Sequence, residues 1–426
     1  MKQFTRRAFP WPMLVGIVLI GFILRGPIIA VAPITGILRA DLGLTAAEVG
    51  LLTSLPVLCF ALVTPLASFF VGRGGANFST TVAIIGVGIG SIVRSSGGVE
   101  AAFVGTVIMG GFITIGNVVV PVLIRRDVPP QRVGIVTGAY TSALNVSSMI
   151  TSLATAPLAE AFGWHVALLA WLGFVVIAAG GWMFAVGPRA AFRFGPVAPL
   201  IETGAVDTVV IDTGRIDLRP TSAAEEARRP RTWRSASALL LALAFSGQAF
   251  AYYGLTAWFP SILVQELGFT VTAAGSSSSV FQIAAVVGAL GVPLLSQRIG
   301  VPRTFALVAA LWLSCPIGLL LAPSSWLAWG FFGGVAQGGG ITIVFMLIVQ
   351  LAVSGTHARG LSAMIQGTGY ALGATAPTLI GAVHDATGAW GAPLAVVGIG
   401  TLAFTAAGLA GSLRATRGTR QSVIER

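Results

Sequence analysis

Charge is scarce in this chain. Only 9% of its 426 residues are Asp, Glu, Lys or Arg, against about 25% in a soluble domain. A folded chain so poor in charge cannot cover its surface for water. Cysteine is scarcer still. Cys59 and Cys315 lie far apart in apolar segments, a placing that reads as two small buried hydrophobes rather than a disulfide or a metal pair. The three histidines, His165, His357 and His384, are scattered at the ends of apolar stretches, and no cluster has the spacing of metal ligands. No nucleophile–histidine–acid set is visible, so neither an enzyme nor a bound cofactor or metal is expected.

What fills the chain instead is apolar sequence, 55% of all residues, interleaved with 55 glycines. Stretches of roughly 20 apolar residues recur from end to end, each long enough for the hydrocarbon core of a bilayer. Lipid offers the backbone no hydrogen-bond partner, so such stretches must be helices. The fold class is therefore an all-α polytopic membrane protein. Hydropathy gives about 12 spans, at 12–38, 47–71, 78–94, 101–124, 132–157, 165–186, 237–264, 271–296, 303–322, 326–352, 360–382 and 391–413. The first is followed directly by others, without a small-residue cleavage site, and is expected to be a retained helix. Between the sixth and seventh lies a polar stretch, 187–234, containing DTVVIDTGRID and RRPRTWR. It reads as a flexible cytoplasmic linker between an N-terminal six-helix bundle, 1–186, and a C-terminal one with a short tail, 235–426.

The net charge of +11 is distributed unevenly. With the N-terminus in the cytoplasm, the inward segments hold Lys2, Arg6, Arg7, Arg73, Arg125, Arg126, Arg132, Arg298, Arg303, Arg359 and the arginines of linker and tail. The outward loops then hold only Arg39 and Arg94. Positively charged loops stay on the cytoplasmic side, so both termini are expected there, in a bacterial inner membrane. The basic balance thus reflects topology and attraction to anionic headgroups. Nucleic acid is not an expected partner; the lipid bilayer and a small solute are, with the chain acting as a monomer.

The two halves repeat each other. DLGLTAAEVG begins at Asp41 and ELGFTVTAAG at Glu266; PLASFFVG begins at Pro65 and PLLSQRIG at Pro293. RVG at Arg132 answers RG at Arg359, and WHVAL at Trp164 answers WGAPL at Trp390. All four offsets lie between 225 and 228 residues. A duplicated six-helix unit, its halves related about an axis along the membrane normal, is the major facilitator arrangement, with the solute site between the halves near the midplane.

One charge stands inside an apolar span. Arg25, in ILRGPIIAVAPI, lies about 12 residues beyond Met13, or roughly 18 Å deep at 1.5 Å per residue. An arginine there is costly, about 2.5–3.5 kcal/mol on insertion scales, and marks function by default. It either caps carbonyls or pairs with a buried acid to lock helices, or it anchors an anionic solute. Every acid of the chain falls in a loop, in the linker or at a span end: Asp41, Glu48, Glu100, Asp127, Glu160, Glu266 and Asp385 are the nearest to the membrane. That absence favours an anion over an organic cation, and it leaves no obvious buried proton carrier.

The other polar residues within spans are uncharged: Asn117, Tyr140, Asn145, Gln248, Tyr252, Tyr253, Gln282, Gln337, Gln350, Gln366 and Tyr370. Singly, each reads as an interhelical hydrogen-bonder; together they suit the lining of a polar cavity anchored by Arg25. Gln248 and Tyr252 are four apart and share a face, as do Gln366 and Tyr370. The QGGG run at Gln337 lacks a strand–helix context for a nucleotide loop and reads as close helix packing. Pro33, Pro56, Pro65, Pro121, Pro157, Pro260 and Pro377 are expected to bend helices.

Several stretches taken together resemble the cyanate/2-nitroimidazole transporter branch of the major facilitator superfamily. They are LRGPI in the first span, GNVVVPVLIRRDVPPQRVGIVTGAYTSAL across the fourth and fifth, GQAFAYYGLTAWFPSIL in the seventh, VFQIAAVVG in the eighth and LSAMIQGTGYALGATAPTLIGAVHDATGAW in the eleventh. The resemblance covers nearly the whole chain except the linker. It implies a carrier of small anions or small planar polar compounds, with Arg25, Asn117, Gln248, Tyr253, Gln282, Gln366 and Tyr370 at the positions of the family pattern. Tyr140 joins this set from the list of polar residues within spans. Two departures stand out. The family often has Asn-Leu-Arg-Pro where this chain has Ile-Leu-Arg-Gly-Pro, which moves the proline one place from Arg25. The loop GRGGANFS, between the second and third spans, keeps Arg73 but lacks the usual acid. The expected activity is secondary transport by alternating access. A broad drug exporter of the same fold, or a membrane sensor that moves nothing, are the other readings.

Overall fold

The computed structural model describes residues 11–129, 132–195, 235–351 and 355–424, and all of its regular structure there is helical. The first half contains α1 (Trp11–Ile29), α2 (Thr35–Leu42), α3 (Ala46–Gly74), α4 (Ala76–Ser95), α5 (Val99–Asp127), α6 (Val133–Phe162), α7 (Trp164–Leu169), α8 (Leu172–Val186) and the short α9 (Pro188–Ala191). The second contains α10 (Ala236–Leu267), α11 (Val271–Ile299), α12 (Val301–Leu321), α13 (Trp326–Leu351), α14 (Gly355–Gly373), α15 (Ala376–Thr387) and α16 (Gly391–Ile424). Twelve spans result, because the first is broken between α1 and α2, the sixth between α7 and α8, and the eleventh between α14 and α15. A 3-10 turn at Ala32–Ile34 bridges the first break.

The repeated sequence signature has a simple local cause. Gly43 and Gly268 end their helices in the left-handed conformation, at φ 64° and 68°, which costs a residue without Cβ nothing. Two residues on, Thr45 and Thr270 are the N-caps of α3 and α11, each accepting from a backbone N–H of the first turn. Thr45 completes a capping box with Glu48. The repeated tryptophans hold the same corners: Trp164 Nε1 donates to Asp41 Oδ2 at 2.6 Å, and Trp390 Nε1 to Gln265 Oε1 at 2.7 Å.

Packing follows the duplication. In the first half α1 lies against α6 and α8, α3 against α5, and α4 against α5 and α8; in the second half α10 lies against α14 and α16, α11 against α13, and α12 against α13 and α16. The halves meet through α3 on α14 and α15 and, symmetrically, through α6 on α11. Of the expected linker 187–234, residues 187–195 are described: Thr81 Oγ1 donates to the Ala191 carbonyl at 2.8 Å and Gly195 N to the Gly74 carbonyl at 3.0 Å, so this piece lies on the first half. The rest of that stretch lies outside the described residues.

Most described arginines gather at one end of the bundle, which also holds the starts of α1 and α10. Close approaches between the halves are made at the opposite, arginine-poor end. There Arg39 Nη2 donates to Asp385 Oδ1 at 3.2 Å, and the Ala47 N–H at the start of α3 donates to Asp385 Oδ2 at 3.0 Å. The hydroxyls of Thr35 and Ser261 are 2.8 Å apart, and Thr272 Oγ1 donates to Glu160 Oε2 at 2.6 Å. Gly50 admits the Pro377 carbonyl and Gly381 that of Ala46, so closely that a Cβ on either glycine would collide with backbone. These inter-half contacts, together with the Arg25–Tyr252 and Ser54–Thr378 pairs, lie between this end and the middle of the bundle.

Asp385 makes two of these contacts to the first half, and they are unequal. An ion pair with about a third of each side chain exposed (31% and 29%) contributes at most about 1 kcal/mol. Its second oxygen also satisfies a helix N-terminal N–H, where a carboxylate is favoured by the helix dipole. Arg39→Ala is therefore expected to leave the closure almost intact and Asp385→Ala to loosen it several-fold. The readout is the labelling rate of a cysteine introduced at Thr35, which is 2% exposed when this end is closed. Equal rates in the two variants would show that the N–H contact contributes nothing.

The two arginines expected in outward loops both lie on helices, and Arg39 is half-buried in the last turn of α2. Arg94 does not lie in a loop: it is on the last turn of α4 with 0% exposure, and its Nη1 donates to the Pro27 carbonyl at 2.7 Å. The arginine-poor end therefore carries even less surface charge than the sequence suggests. Arg94 was misplaced because it stands beside SSGG, which reads as a loop; the helix simply runs one turn further and buries it.

Candidate functional site

Arg25 sits in α1, four residues before the helix ends, and points across the bundle rather than along it. Its Nη2 donates to the Tyr252 hydroxyl of α10 in the other half. The guanidinium carbon lies over two aromatic faces, 5.0 Å from the Tyr252 ring centre and 5.9 Å from that of Tyr253, an arrangement that attracts a cation. Tyr370 on α14 and Tyr140 on α6 are also within electrostatic range of the guanidinium. These four are all the tyrosines the protein has. Arg25 takes part in no ion pair: among the described residues the two ion pairs are Arg39–Asp385 and Arg126–Asp127.

The direction of Arg25 follows from its neighbour. Gly26 faces α6 and α8, where an added Cβ would stand 2.5 Å from Ser147 Oγ and 3.0 Å from both Thr151 Oγ1 and a Phe174 ring carbon. Only glycine lets α1 approach this closely, and Ser147 Oγ uses the proximity to donate to the Phe22 carbonyl at 2.7 Å. With that face fixed against its own half, the residue one place earlier on the helix is turned toward the other half.

The remaining expected residues divide into two groups. Tyr140, Asn117, Gln366 and Tyr370 are half-buried. Tyr140 packs one turn below Arg25, against Gly21, and Asn117 follows Gly116, which is packed on Leu24. Tyr370 meets Phe60 and Phe245 edge-on, at 5.9 and 5.6 Å between ring centres. Gln366 donates from Nε2 to Ser362 Oγ, 2.6 Å away and one turn back on its own helix. Tyr253 is buried behind Tyr252, edge-on at 5.0 Å. Two glutamines are buried more deeply. Gln248 is 1% exposed; its Nε2 donates to the Gln337 carbonyl at 2.9 Å, and it packs on Gly340 of the QGGG run, where an added Cβ would lie 2.7 Å from Gln248 Oε1. Gln282 lines a narrow cleft with Ser152, Thr256 and Ser278, on the arginine-poor side of the Arg25–Tyr252 pair.

Tyr252 is the residue the family pattern passes over, since the expected set contains Tyr253. Its spacing of four from Gln248 was the available signal, but one helix cannot show which of two adjacent tyrosines faces a residue of another. The acid missing from GRGGANFS also finds a local substitute. Asn77 Oδ1 accepts from Arg126 Nη2 at 2.6 Å, while Asp127 takes Arg126 Nε at 2.8 Å.

The arrangement is a cation held mid-bundle between two six-helix repeats, with aromatic walls and, among the described residues, no carboxylate paired with it. The sequence profile of the Major Facilitator Superfamily matches residues 14–376. The chain belongs to this superfamily. The 2-nitroimidazole transporter of Escherichia coli (strain K12) is 32% identical over 399 residues, covering 93% of this chain and 94% of that one. The cyanate transport protein CynX of the same organism is 24% identical over 379 residues, 88% and 91% of the two chains. Among solved structures, the nucleoside transporter NupG superposes with a TM-score of 0.69 at 12% identity, covering 94% of this chain and 99% of that one. A bacterial homologue of the human lysosomal transporter Spinster, inward-facing and occupied, gives 0.66 at 16% identity, covering 95% and 96%. The protein is thus a multi-pass major facilitator transporter, and the family's role is transport of a small molecule rather than catalysis.

Proposed function

We propose that this transporter moves a small anion or a small planar polar solute, cyanate-like or nitroimidazole-like, by alternating access. The observation that carries the reading is the Arg25–Tyr252 bond, which joins the halves at mid-bundle without any acid. A guanidinium and a phenol are both donors toward an anion. A solute entering between them accepts from both and bridges α1 to α10, so its binding bears on the contact between the halves. Tyr140, Tyr253 and Tyr370 give flat faces to a planar solute, with Asn117 and Gln366 at the rim; Gln248 supports α10, and Gln282 lines the path beyond. The relatives named for 2-nitroimidazole and cyanate fit the same chemistry.

The arginine-rich end is placed in the cytoplasm of a bacterium by the bias in positive charge, with both termini there and residues 187–234 joining the two six-helix units on that side. The closed arginine-poor end then faces outward. The driving force follows from charge: an anion leaves the cell with the inside-negative potential, whereas uptake works against about 2.3 kcal/mol per 100 mV and needs exchange or a coupled ion.

The test is thermal stabilisation of the purified protein by cyanate and by 2-nitroimidazole, followed by flux of whichever binds in proteoliposomes. Stabilisation and saturable flux are expected for at least one, with bulky organic cations inert. Stabilisation by organic cations and by neither of these probes would replace this reading with that of a broad drug exporter.

A further inference from the structure

The first span carries a second arginine problem, and it belongs to α4. Arg94 is wholly buried, is paired with no carboxylate among the described residues, and leaves Nε and Nη2 without partners while Nη1 donates to the Pro27 carbonyl. We propose that Arg94 is a positioning residue that caps the broken end of α1 and thereby fixes the direction in which Arg25 points. Pro27 lies in the last turn of α1, where carbonyls run out of intrahelical donors. Pro33 deepens the gap, since it has no N–H to offer the carbonyl four residues before it. The C-terminal end of a helix also carries partial negative charge, so a cation is favoured there without any acid. That accounts for a buried guanidinium whose only described hydrogen bond is to backbone.

The anchoring is one-sided, as positioning requires. The backbone at Arg94 is held tightly by α5: a Cβ on Gly105 would collide with the Arg94 main chain. The guanidinium therefore extends from the fixed α4–α5 pair to the break in span 1, two residues from Arg25. Gly26 turns Arg25 away from its own half, and Arg94 keeps the following turn from rewinding.

The proposal rests on the reading of Arg25 as solute anchor, and its experiment separates the two. Arg94→Met removes charge and cap while keeping bulk; Arg94 is paired with no acid, so its loss strands no buried counter-charge, and the fold is expected to survive. Arg94→Lys keeps a cation near the carbonyl. Hydrogen exchange of the 28–34 amides, which needs no solute, is expected to rise about tenfold in Arg94→Met and to stay within about threefold of native in Arg94→Lys. If Arg94→Met does not fold, Arg94→Gln takes its place in the same comparison. Equal exchange in the neutral and Lys variants, whether both raised or both native-like, overturns the proposal. A second arm uses cyanate and 2-nitroimidazole as probes in a double-mutant cycle. Arg94→Met should weaken binding about tenfold in the native background and not further in Arg25→Ala; additive losses also overturn it. Failure of both probes to bind the native protein counts against the solute class alone, since the exchange arm still decides the role of Arg94.

Discussion

Arg25→Ala is expected to weaken binding of a small anion by roughly 10- to 150-fold, the loss of a charge-assisted hydrogen bond worth about 1.5–3 kcal/mol, while the melting temperature holds. The second half of that expectation is the discriminating one. Arg25 pairs with no acid, so its removal strands no buried counter-charge, the usual cause of a large loss on breaking a buried ion pair. It strands only the Tyr252 hydroxyl, which loses the donor it now accepts from. Arg25→Lys should recover little, because a point charge cannot both address a planar solute and lie over the rings of Tyr252 and Tyr253. Tyr252→Phe should cost less than Arg25→Ala, and Tyr253→Phe less again. A collapse in melting temperature with unchanged binding by the folded fraction would make Arg25 a structural residue.

The glycines give the second large effect, and here identical substitutions should have opposite consequences. Gly288 and Gly338 pack α11 on α13 within one half, where an added Cβ would collide with the Val335 and Ala285 carbonyls. Gly50 and Gly381 meet backbone across the halves. Gly338→Ala and Gly288→Ala cannot be relieved without parting helices of one bundle, so each should lower the melting temperature by about 5 °C or more. Gly50→Ala and Gly381→Ala are relieved by opening the arginine-poor end, a movement the proposed alternating-access cycle already contains. They should leave the melting temperature within about 2 °C and raise labelling of a cysteine at Thr35 by roughly tenfold, the equivalent of 1.4 kcal/mol in the conformational balance. The native cysteines are both buried and add little background. If Gly50→Ala melts as early as Gly338→Ala, the α3–α15 contact is part of the folding core and not a closure.

Both sets of predictions depend on the same division of the molecule, and that division was legible in the sequence. A charge content of 9% decides for a membrane, because an apolar surface has no other solvent. Lipid then decides for helices, because the backbone has no partner but itself. The offsets of 225–228 residues decide for two equivalent bundles, since a repeated glycine cap and threonine cap can only recur if the same corner is built twice. An uncompensated arginine at mid-span also marks the site proposed for the solute, whatever surrounds it.

The tertiary structure decided what no single segment contains. Which of Tyr252 and Tyr253 meets Arg25 depends on the rotation of α10 about its axis, set by packing on α14 and α16. That Gln248 packs within its own half depends on the space left by Gly340. Arg94 gave no sequence signal of burial, because a charged residue next to SSGG satisfies every rule for a loop and its carbonyl partner lies 67 residues away. Hydropathy and spacing are properties of one helix against its solvent. The facing of side chains across a bundle is a property of helix pairs, and only their packing fixes it.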